Sequence, residues 1–242
     1  MRTLIFDIET VGEAWTGIDA VTQRILERPV MRQAEDPYEW VERSLDMQRE
    51  LSLSPLTGSI IALGLYDLER AEGAVYYVGG EVNHTSKVPG FTTKTRNEAT
   101  LLKEFWEGAL SYDTFVTFSG RTFDVPFLYH RSIVHGIRPT KELMKYRYLS
   151  QQSAPYHIDL QDELTFYGAI RRQPLHLFCR AFGIDSNKES EITGADIQGL
   201  YEGGRHADII SYNIADVRAT TALYEKWRAN LAPASFLNTF DL

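Results

Sequence analysis

The chain lacks the features that mark several classes of protein. Its 242 residues contain one cysteine, Cys179, so no internal disulfide can form. No window approaches the run of about 20 apolar residues that a membrane helix needs, and no signal peptide is recognisable. Internal repeats, low-complexity tracts and Gly/Ser linkers are also missing. We therefore expect a soluble, cytoplasmic protein with no membrane partner, folded as one domain over residues 1–242.

Positive charge is in deficit. The chain has 25 lysines and arginines against 33 aspartates and glutamates, which gives a formal net charge of −8. Because neutralised phosphates supply most non-specific affinity for nucleic acids, this balance excludes a protein that coats nucleic acid through a broad basic surface. A short nucleic-acid site with a local cationic rim remains compatible with it.

Strand-like and helix-like segments alternate along the chain, which is typical of an α/β fold. In the strand predicted over residues 3–10, alternate residues share a face, so Asp7 and Glu9 project to the same side. The other elements predicted from periodicity, caps and turn residues are strands over 59–65, 74–78 and 115–118, and helices over 37–51, after Asn97, and over 124–135, 175–182 and 208–231.

The segment from about 12 to 58 separates the first strand from the next by more than a hairpin needs. Within it, Asp36 is a suitable N-cap, followed by Pro37 at the first helical position and Glu39 at the third. We interpret the segment as a helical insertion that either forms a flap over a substrate or packs outside.

The last predicted helix carries a second pair of functional groups. Tyr212 and Asp216 are four residues apart, so they share a face that differs from the core stripe of the helix. This spacing allows both side chains to point at one site.

Three motifs, residues 6–10, 118–128 and 212–216, together resemble those of the DEDDy 3′–5′ exonuclease superfamily, which has the ribonuclease H-like fold. They are most similar to the stand-alone proteins related to the proofreading exonuclease domain of family B DNA polymerases. Each motif alone is weak evidence for function. Asp7 and Glu9 alone would be interpreted as solvated acids, and Asp124 alone as a helix cap. Three motifs in the family's order favour the functional interpretation.

The resemblance implies a fold and a reaction. The fold is a mixed five-stranded sheet with one antiparallel strand and helices on both faces. The reaction is the removal of nucleotides from the 3′ end of single-stranded DNA by two-metal-ion hydrolysis. Two divalent ions about 4 Å apart can activate water, stabilise the phosphate charge and escort the leaving oxygen.

The resemblance also implies roles for individual residues. The metal ligands are Asp7, Glu9, Asp124 and Asp216, whose carboxylates suit Mg²⁺ or Mn²⁺. Tyr212 completes the catalytic set by orienting the attacking water. The residues implied to contact the substrate are Thr10, Ser119 and Phe123.

Two positions distinguish this chain within the superfamily. The histidine version would place its histidine five residues before the last aspartate, where this chain has Ser211, and His206 is too far along the chain to substitute. The polymerase-linked enzymes usually have asparagine at the position of Ser119, so substrate positioning there is expected to differ.

Several alternatives remain open at this stage. Asp159 is interpreted as a helix cap rather than a metal ligand. The mixture of cations and rings over 141–148 fits either a single-stranded channel or a solvated helix face. An exoribonuclease, and a non-catalytic nucleic-acid-binding module of the same fold, are the competing functions, and no protein partner is identified.

Overall fold

A computed structural model describes residues 1–80, 88–185 and 192–237. These residues form a mixed six-stranded sheet. Its strands are β1 (Thr3–Gly12), β2 (Gly58–Asp67), β3 (Glu72–Val78), β4 (Phe91–Arg96), β5 (Thr114–Thr117) and β6 (Tyr156–Asp159), arranged in the order β4-β3-β2-β1-β5-β6.

The sheet has one strand that runs against the others. β2 is antiparallel to both of its neighbours, β1 and β3, and the remaining pairs are parallel. The predicted α/β fold, with a mixed sheet and one antiparallel strand, is confirmed. The predicted strand number of five was wrong, because β4 adds a sixth strand at the edge. β4 is rich in threonine, lysine and arginine, which suits a sheet edge but removes the apolar alternation that predicts a strand.

Helices cover both faces of the sheet. They are α1 (Ala20–Gln33), α2 (Pro37–Arg49), α3 (Glu98–Ala109), α4 (Asp124–Val134), α5 (Leu160–Leu164), α6 (Leu175–Ala181), α7 (Ile197–Glu202), α8 (His206–Asn230) and α9 (Ala234–Leu237). Within the described ranges, none of them combines the length and apolarity needed to cross a membrane.

The helix ends follow the predicted local signals. The side chain of Asn97 accepts a hydrogen bond from the backbone N–H of Thr100 at the start of α3. Gly136 and Gly183 follow α4 and α6 with positive φ angles of 65° and 66°, a conformation that costs glycine little.

The side chains of β1 separate two hydrophobic cores. Leu4, Phe6 and Ile8 pack with buried residues of α3 and α4, whereas Ile5 packs on the opposite face with buried residues of α8. Truncating a fully buried ring such as that of Phe6 to alanine costs about 3–5 kcal/mol. The alternation therefore fixes the register of β1, which turns Asp7 toward α8.

The segment between β1 and β2 is helical, as predicted. Asp36 caps α2 by accepting hydrogen bonds from the backbone N–H groups of Tyr38 and Glu39. α1 and α2 each bury a single residue, Val30 and Ser44. The two helices thus lie mostly outside the cores, and a role as a substrate flap stays a prediction.

Candidate active site

Three carboxylates converge where β1 meets α8. Asp7 and Glu9 come from alternate positions of β1, and Asp216 comes from α8. Oxygen atoms of the three side chains lie within 4.8 Å of one another. Glu9 and Asp216 are only 7% and 9% exposed. We call these three residues the carboxylate cluster.

A glycine on β2 permits the close approach of α8. Gly64 lies opposite Asp7 in the antiparallel pair. A Cβ atom at this position would lie 2.2 Å from Oδ1 of Asn213 and 2.7 Å from Cγ2 of Val217, which is closer than non-bonded atoms tolerate. The absence of a side chain at Gly64 therefore lets α8 bring Asp216 up to β1.

Asn213 connects α8 to two of the acids, and sequence reasoning missed it. Its side chain is fully buried, and its Nδ2 donates to Oδ2 of Asp7 (2.9 Å) and lies 3.4 Å from Oε1 of Glu9. Asn213 follows Ile210 by three residues and precedes Val217 by four, so it occupies the core stripe of the helix. An amide on a core stripe, next to the motif residue Tyr212 and three residues before Asp216, was the signal available in the sequence.

The hydroxyl of Tyr212 lies within hydrogen-bonding reach of the cluster. Burial raises the pKa of Tyr212 above its ordinary value, and the charges of Asp216, Glu9 and Asp7 and a hydrogen bond to Asp216 raise it further. The phenol therefore stays protonated at neutral pH, which suits a hydrogen-bond donor and excludes a general base.

Asp124 lies beside the cluster and outside its 4.8 Å limit. It is the first residue of α4, and its Oδ1 accepts a hydrogen bond from the backbone N–H of Ile8 (3.0 Å), the residue between Asp7 and Glu9. The carboxylate thus reaches β1, and no side-chain bond caps the start of α4, where Phe123 is the N-cap. The role of Asp124 as a metal ligand stays a prediction. Burial raises the pKa of Asp124 to about 7, against the opposing effect of the Ile8 N–H.

The three residues implied to contact substrate flank these acids. The hydroxyl of Thr10 donates to the backbone carbonyl of Ser52 (2.6 Å). Phe123 is half-buried, with its ring centroid 5.0 Å from that of Phe127. Ser119 has a left-handed backbone with φ of 64°, which is strained for serine. Their roles in binding stay predictions.

Asp159 holds the loop that carries the second motif. Its carboxylate accepts hydrogen bonds from the backbone N–H groups of Ser119 (2.9 Å) and Arg121 (2.9 Å). It also caps α5 through the N–H groups of Gln161 and Asp162, which confirms the helix-cap interpretation. These four amide partners explain why Asp159 is structural and does not join the cluster.

Residues 141–148 form irregular chain, so the interpretation of this stretch as a helix face was wrong. Nζ of Lys141 donates to the backbone carbonyl of Tyr112 (2.9 Å). Arg147 pairs with Asp162, and Tyr146 and Tyr148 are exposed. The alternative of a single-stranded channel stays a prediction.

Comparison with known proteins identifies the family. Residues 72–239, more than half of the chain, match the family model described as a predicted 3′–5′ exonuclease related to the exonuclease domain of PolB, a DNA polymerase. The chain belongs to this family. The matched residues of this PolB-related exonuclease family member include Asp124, Tyr212 and Asp216, whereas β1 with Asp7 and Glu9 lies before the match.

A solved structure supports the same fold. The family B DNA polymerase from the hyperthermophilic archaeon Pyrobaculum calidifontis is 18% identical, with a TM-score of 0.55. The similarity covers 93% of this chain and 24% of the polymerase chain, so the chain spans about a quarter of that protein. The likeness shows the fold, which is the ribonuclease H-like fold that the motifs implied. No curated protein gives a significant match.

Proposed function

We propose that the protein is a metal-dependent 3′–5′ exonuclease that removes nucleotides from the 3′ end of single-stranded DNA by two-metal-ion phosphodiester hydrolysis. The observation that carries this proposal is the carboxylate cluster. Its oxygens lie within 4.8 Å of one another in a member of a predicted exonuclease family.

The chemistry of the donor set fits two divalent ions. Carboxylate oxygens are the ligands that Mg²⁺ and Mn²⁺ prefer, and three negative charges this close repel one another unless cations offset them. Asp7, Glu9 and Asp216 would hold the ions, with Asp124 as the fourth acid. When bound, two ions activate water and stabilise the charge that develops on the phosphate.

The residues around the cluster would position the reactants. Asn213 would fix the side-chain orientation of Asp7, because its buried amide donates to Oδ2 of that carboxylate. Tyr212 donates a hydrogen bond from a neutral phenol, which fits a role in orienting the attacking water.

The 3′-terminal nucleotide would lie between the residues that flank the acids. Thr10 directly follows Glu9, and Phe123 directly precedes Asp124. Because the Thr10 hydroxyl is bonded to Ser52, its contact with the nucleotide would use the backbone or the methyl group. The half-buried ring of Phe123 would contact the terminal base, and Ser119 would contact the sugar-phosphate.

A strand-shortening experiment tests the proposal. The protein is incubated with 5′-labelled single-stranded DNA and RNA of one sequence, in Mg²⁺, Mn²⁺ or EDTA. The expected result is a metal-dependent ladder that shortens from the 3′ end, faster on DNA, and at least about 1,000-fold slower with Asp216→Asn. Glu225→Gln, at an exposed position of the same helix, is the matched control and should behave as the wild type. A folded wild-type protein that leaves both strands intact in either metal would contradict the proposal.

A further inference from the structure

Three arginines converge on one buried acid close to the carboxylate cluster. Arg147 pairs with Asp162 through two bonds, from Nε to Oδ2 (2.9 Å) and from Nη2 to Oδ1 (2.7 Å). Nη2 of Arg172 lies 3.2 Å from Oδ1, and Nε of Arg121 lies 4.0 Å from Oδ2. We call Arg121, Arg147 and Arg172 the arginine cluster.

The cluster contains more positive charge than its acid offsets. Arg147 alone satisfies Asp162 with the two-bond geometry that pairs a guanidinium with a carboxylate. The second and third guanidiniums are therefore not needed to neutralise Asp162. Asp159 also offsets part of the charge of Arg121 and Arg147. In a chain with a net charge of −8, the partly exposed guanidiniums of Arg147 and Arg172 are still the kind of local cations that a short nucleic-acid site requires.

Two of the three arginines are accessible. The side chains of Arg147 and Arg172 are each 43% exposed, whereas that of Arg121 is 9% exposed. A guanidinium has five N–H donors, and the bonds of Arg147 and Arg172 to protein atoms use only part of them. Both side chains can thus donate to a further anion while Asp162 holds them in place.

The arginine cluster lies at the same end of the parallel strands as the carboxylate cluster. β5 and β6 run parallel to β1, so their carboxyl ends meet the carboxyl end of β1. Two strand spacings of about 4.8 Å separate β6 from β1, which gives a lateral distance of about 10 Å. Nη1 of Arg172 lies 3.4 Å from Oγ1 of Thr122, two residues before Asp124, so the arginine cluster contacts the second motif.

Aromatic residues lie beside the arginine cluster. Tyr146 and Tyr148 are exposed, and the guanidinium of Arg147 lies 5.9 Å from the ring centroid of Tyr167. The rings of Tyr148 and Tyr167 are 4.7 Å apart. A cationic track beside rings on which bases can stack is the common design of single-strand grooves.

We propose that the arginine cluster binds the phosphodiester backbone of the single strand on the 5′ side of the scissile bond. The proposal rests on the proposed function, because a 3′–5′ exonuclease holds only the terminal nucleotide beyond that bond and the rest of the strand leaves on the 5′ side. A backbone that passes beside β6, two strands away from β1, therefore belongs to upstream nucleotides.

Binding of a fluorescent single-stranded oligodeoxynucleotide, measured by anisotropy in EDTA so that no strand is cut, tests the proposal. Arg172→Gln should weaken binding about tenfold and reduce the slope of log Kd against log salt by about 0.7, the share of one phosphate contact. The double variant Arg147→Gln/Arg172→Gln should reduce the slope by about 1.4. Arg70→Gln removes an exposed arginine that pairs with Asp67, which lies beside the amino end of β1 and so at the opposite end of the parallel strands. This variant should leave the affinity and the salt slope unchanged.

If circular dichroism shows that the double variant melts at a lower temperature than the wild type, the proposal is judged on Arg172→Gln alone. This single variant leaves the two-bond Arg147–Asp162 pair intact. Wild-type affinity and salt slope in Arg172→Gln, or an equal loss in Arg70→Gln, would overturn the proposal. Strand shortening by the wild type together with unchanged binding by Arg172→Gln would reject the arginine site and keep the exonuclease. If binding depends on Arg172 but the wild type does not shorten the strand in Mg²⁺ or Mn²⁺, the exonuclease proposal is rejected and the arginine site is kept.

Discussion

Two groups of acids lie at the same end of the parallel strands and are arranged in opposite ways. Asp7, Glu9 and Asp216 converge on one another, with oxygens within 4.8 Å. Asp159 and Asp162 are instead surrounded by donors, backbone N–H groups for the first and guanidiniums for the second. Asp159 and Asp162 hold chain segments together through their donors, whereas the three converging acids repel one another, which is the basis for proposing that cations offset their charge.

The two acids of the second group differ in the direction of their pKa shifts. Burial raises the pKa of Asp162, but its bonds to Arg147 and the charges of the other arginines outweigh burial, so the net shift is downward. For Asp159, burial prevails over the backbone hydrogen bonds and the pKa is raised. Asp162 therefore stays charged at neutral pH and keeps its arginines in place.

Asp7→Asn should have the largest effect, on chemistry rather than on stability. We expect turnover of single-stranded DNA to fall at least about 1,000-fold, because several kcal/mol of charge stabilisation in the transition state is lost. The free energy of unfolding in EDTA should stay equal or rise, since one of three mutually repelling charges is removed. Rate assays and urea denaturation measure the two quantities. A strong loss of stability with normal turnover per folded molecule would show that Asp7 belongs to the structural group.

Asp162→Asn should show the opposite pattern. We expect a loss of about 2–3 kcal/mol in the free energy of unfolding, because three guanidiniums lose their shared carboxylate. The loss is smaller than for a fully buried pair, since Arg147 and Arg172 are partly exposed to solvent. Urea denaturation measures it. An unchanged unfolding midpoint would mean that Asp162 is not needed to hold this region together.

Asn213→Ala should reduce activity and metal affinity by about 10- to 100-fold, the usual effect of losing a residue that orients metal ligands. The cause is the lost hydrogen bond to Asp7. The readout that separates positioning from stability is the Mn²⁺ affinity of the folded variant, measured calorimetrically. Thr220, a buried polar residue two turns further along α8, provides the matched control as Thr220→Ala. Equal Mn²⁺ affinities in the wild type and Asn213→Ala would rule out the positioning role.

Ser119→Asn should have the smallest effect, and in the stabilising direction. Ser119 has a positive φ of 64°, and asparagine tolerates this conformation better than serine. We expect a gain of up to about 1 kcal/mol, which corresponds to a rise of about 2–4 °C in Tm for a chain of this size. Ser119→Gly should give a similar gain, and Ser119→Val a loss. A lower Tm in both Ser119→Asn and Ser119→Gly would show that the serine side chain stabilises the loop.

Local patterns were enough to predict the elements that carry the acids. Strict alternation predicted the strand of Asp7 and Glu9 and the face they share, and the four-residue spacing of Tyr212 and Asp216 predicted their common face. Each of these signals lies within a single strand or helix. The structure confirms these elements, and their apolar side chains pack into the two cores.

Contacts between distant residues could not be predicted in the same way. The approach of Asn213 to Gly64, and of Arg172 to Asp162, depends on how elements pack, and no local pattern encodes it. The edge strand β4 was missed because its polar residues need no apolar face. The bond from the N–H of Ile8 to Asp124 could not be predicted for the same reason, since the two residues are 116 positions apart.

Titration of the apo protein with Mn²⁺, followed by isothermal calorimetry, tests the central claim most directly. The claim is that Asp7, Glu9 and Asp216 are arranged for divalent ions whereas Asp159 and Asp162 are structural. We predict that the wild type and folded Asp162→Asn bind Mn²⁺ with similar affinity, and that Asp7→Asn binds at least about tenfold more weakly. Undiminished Mn²⁺ binding by Asp7→Asn, or no binding by the wild type, would contradict the account.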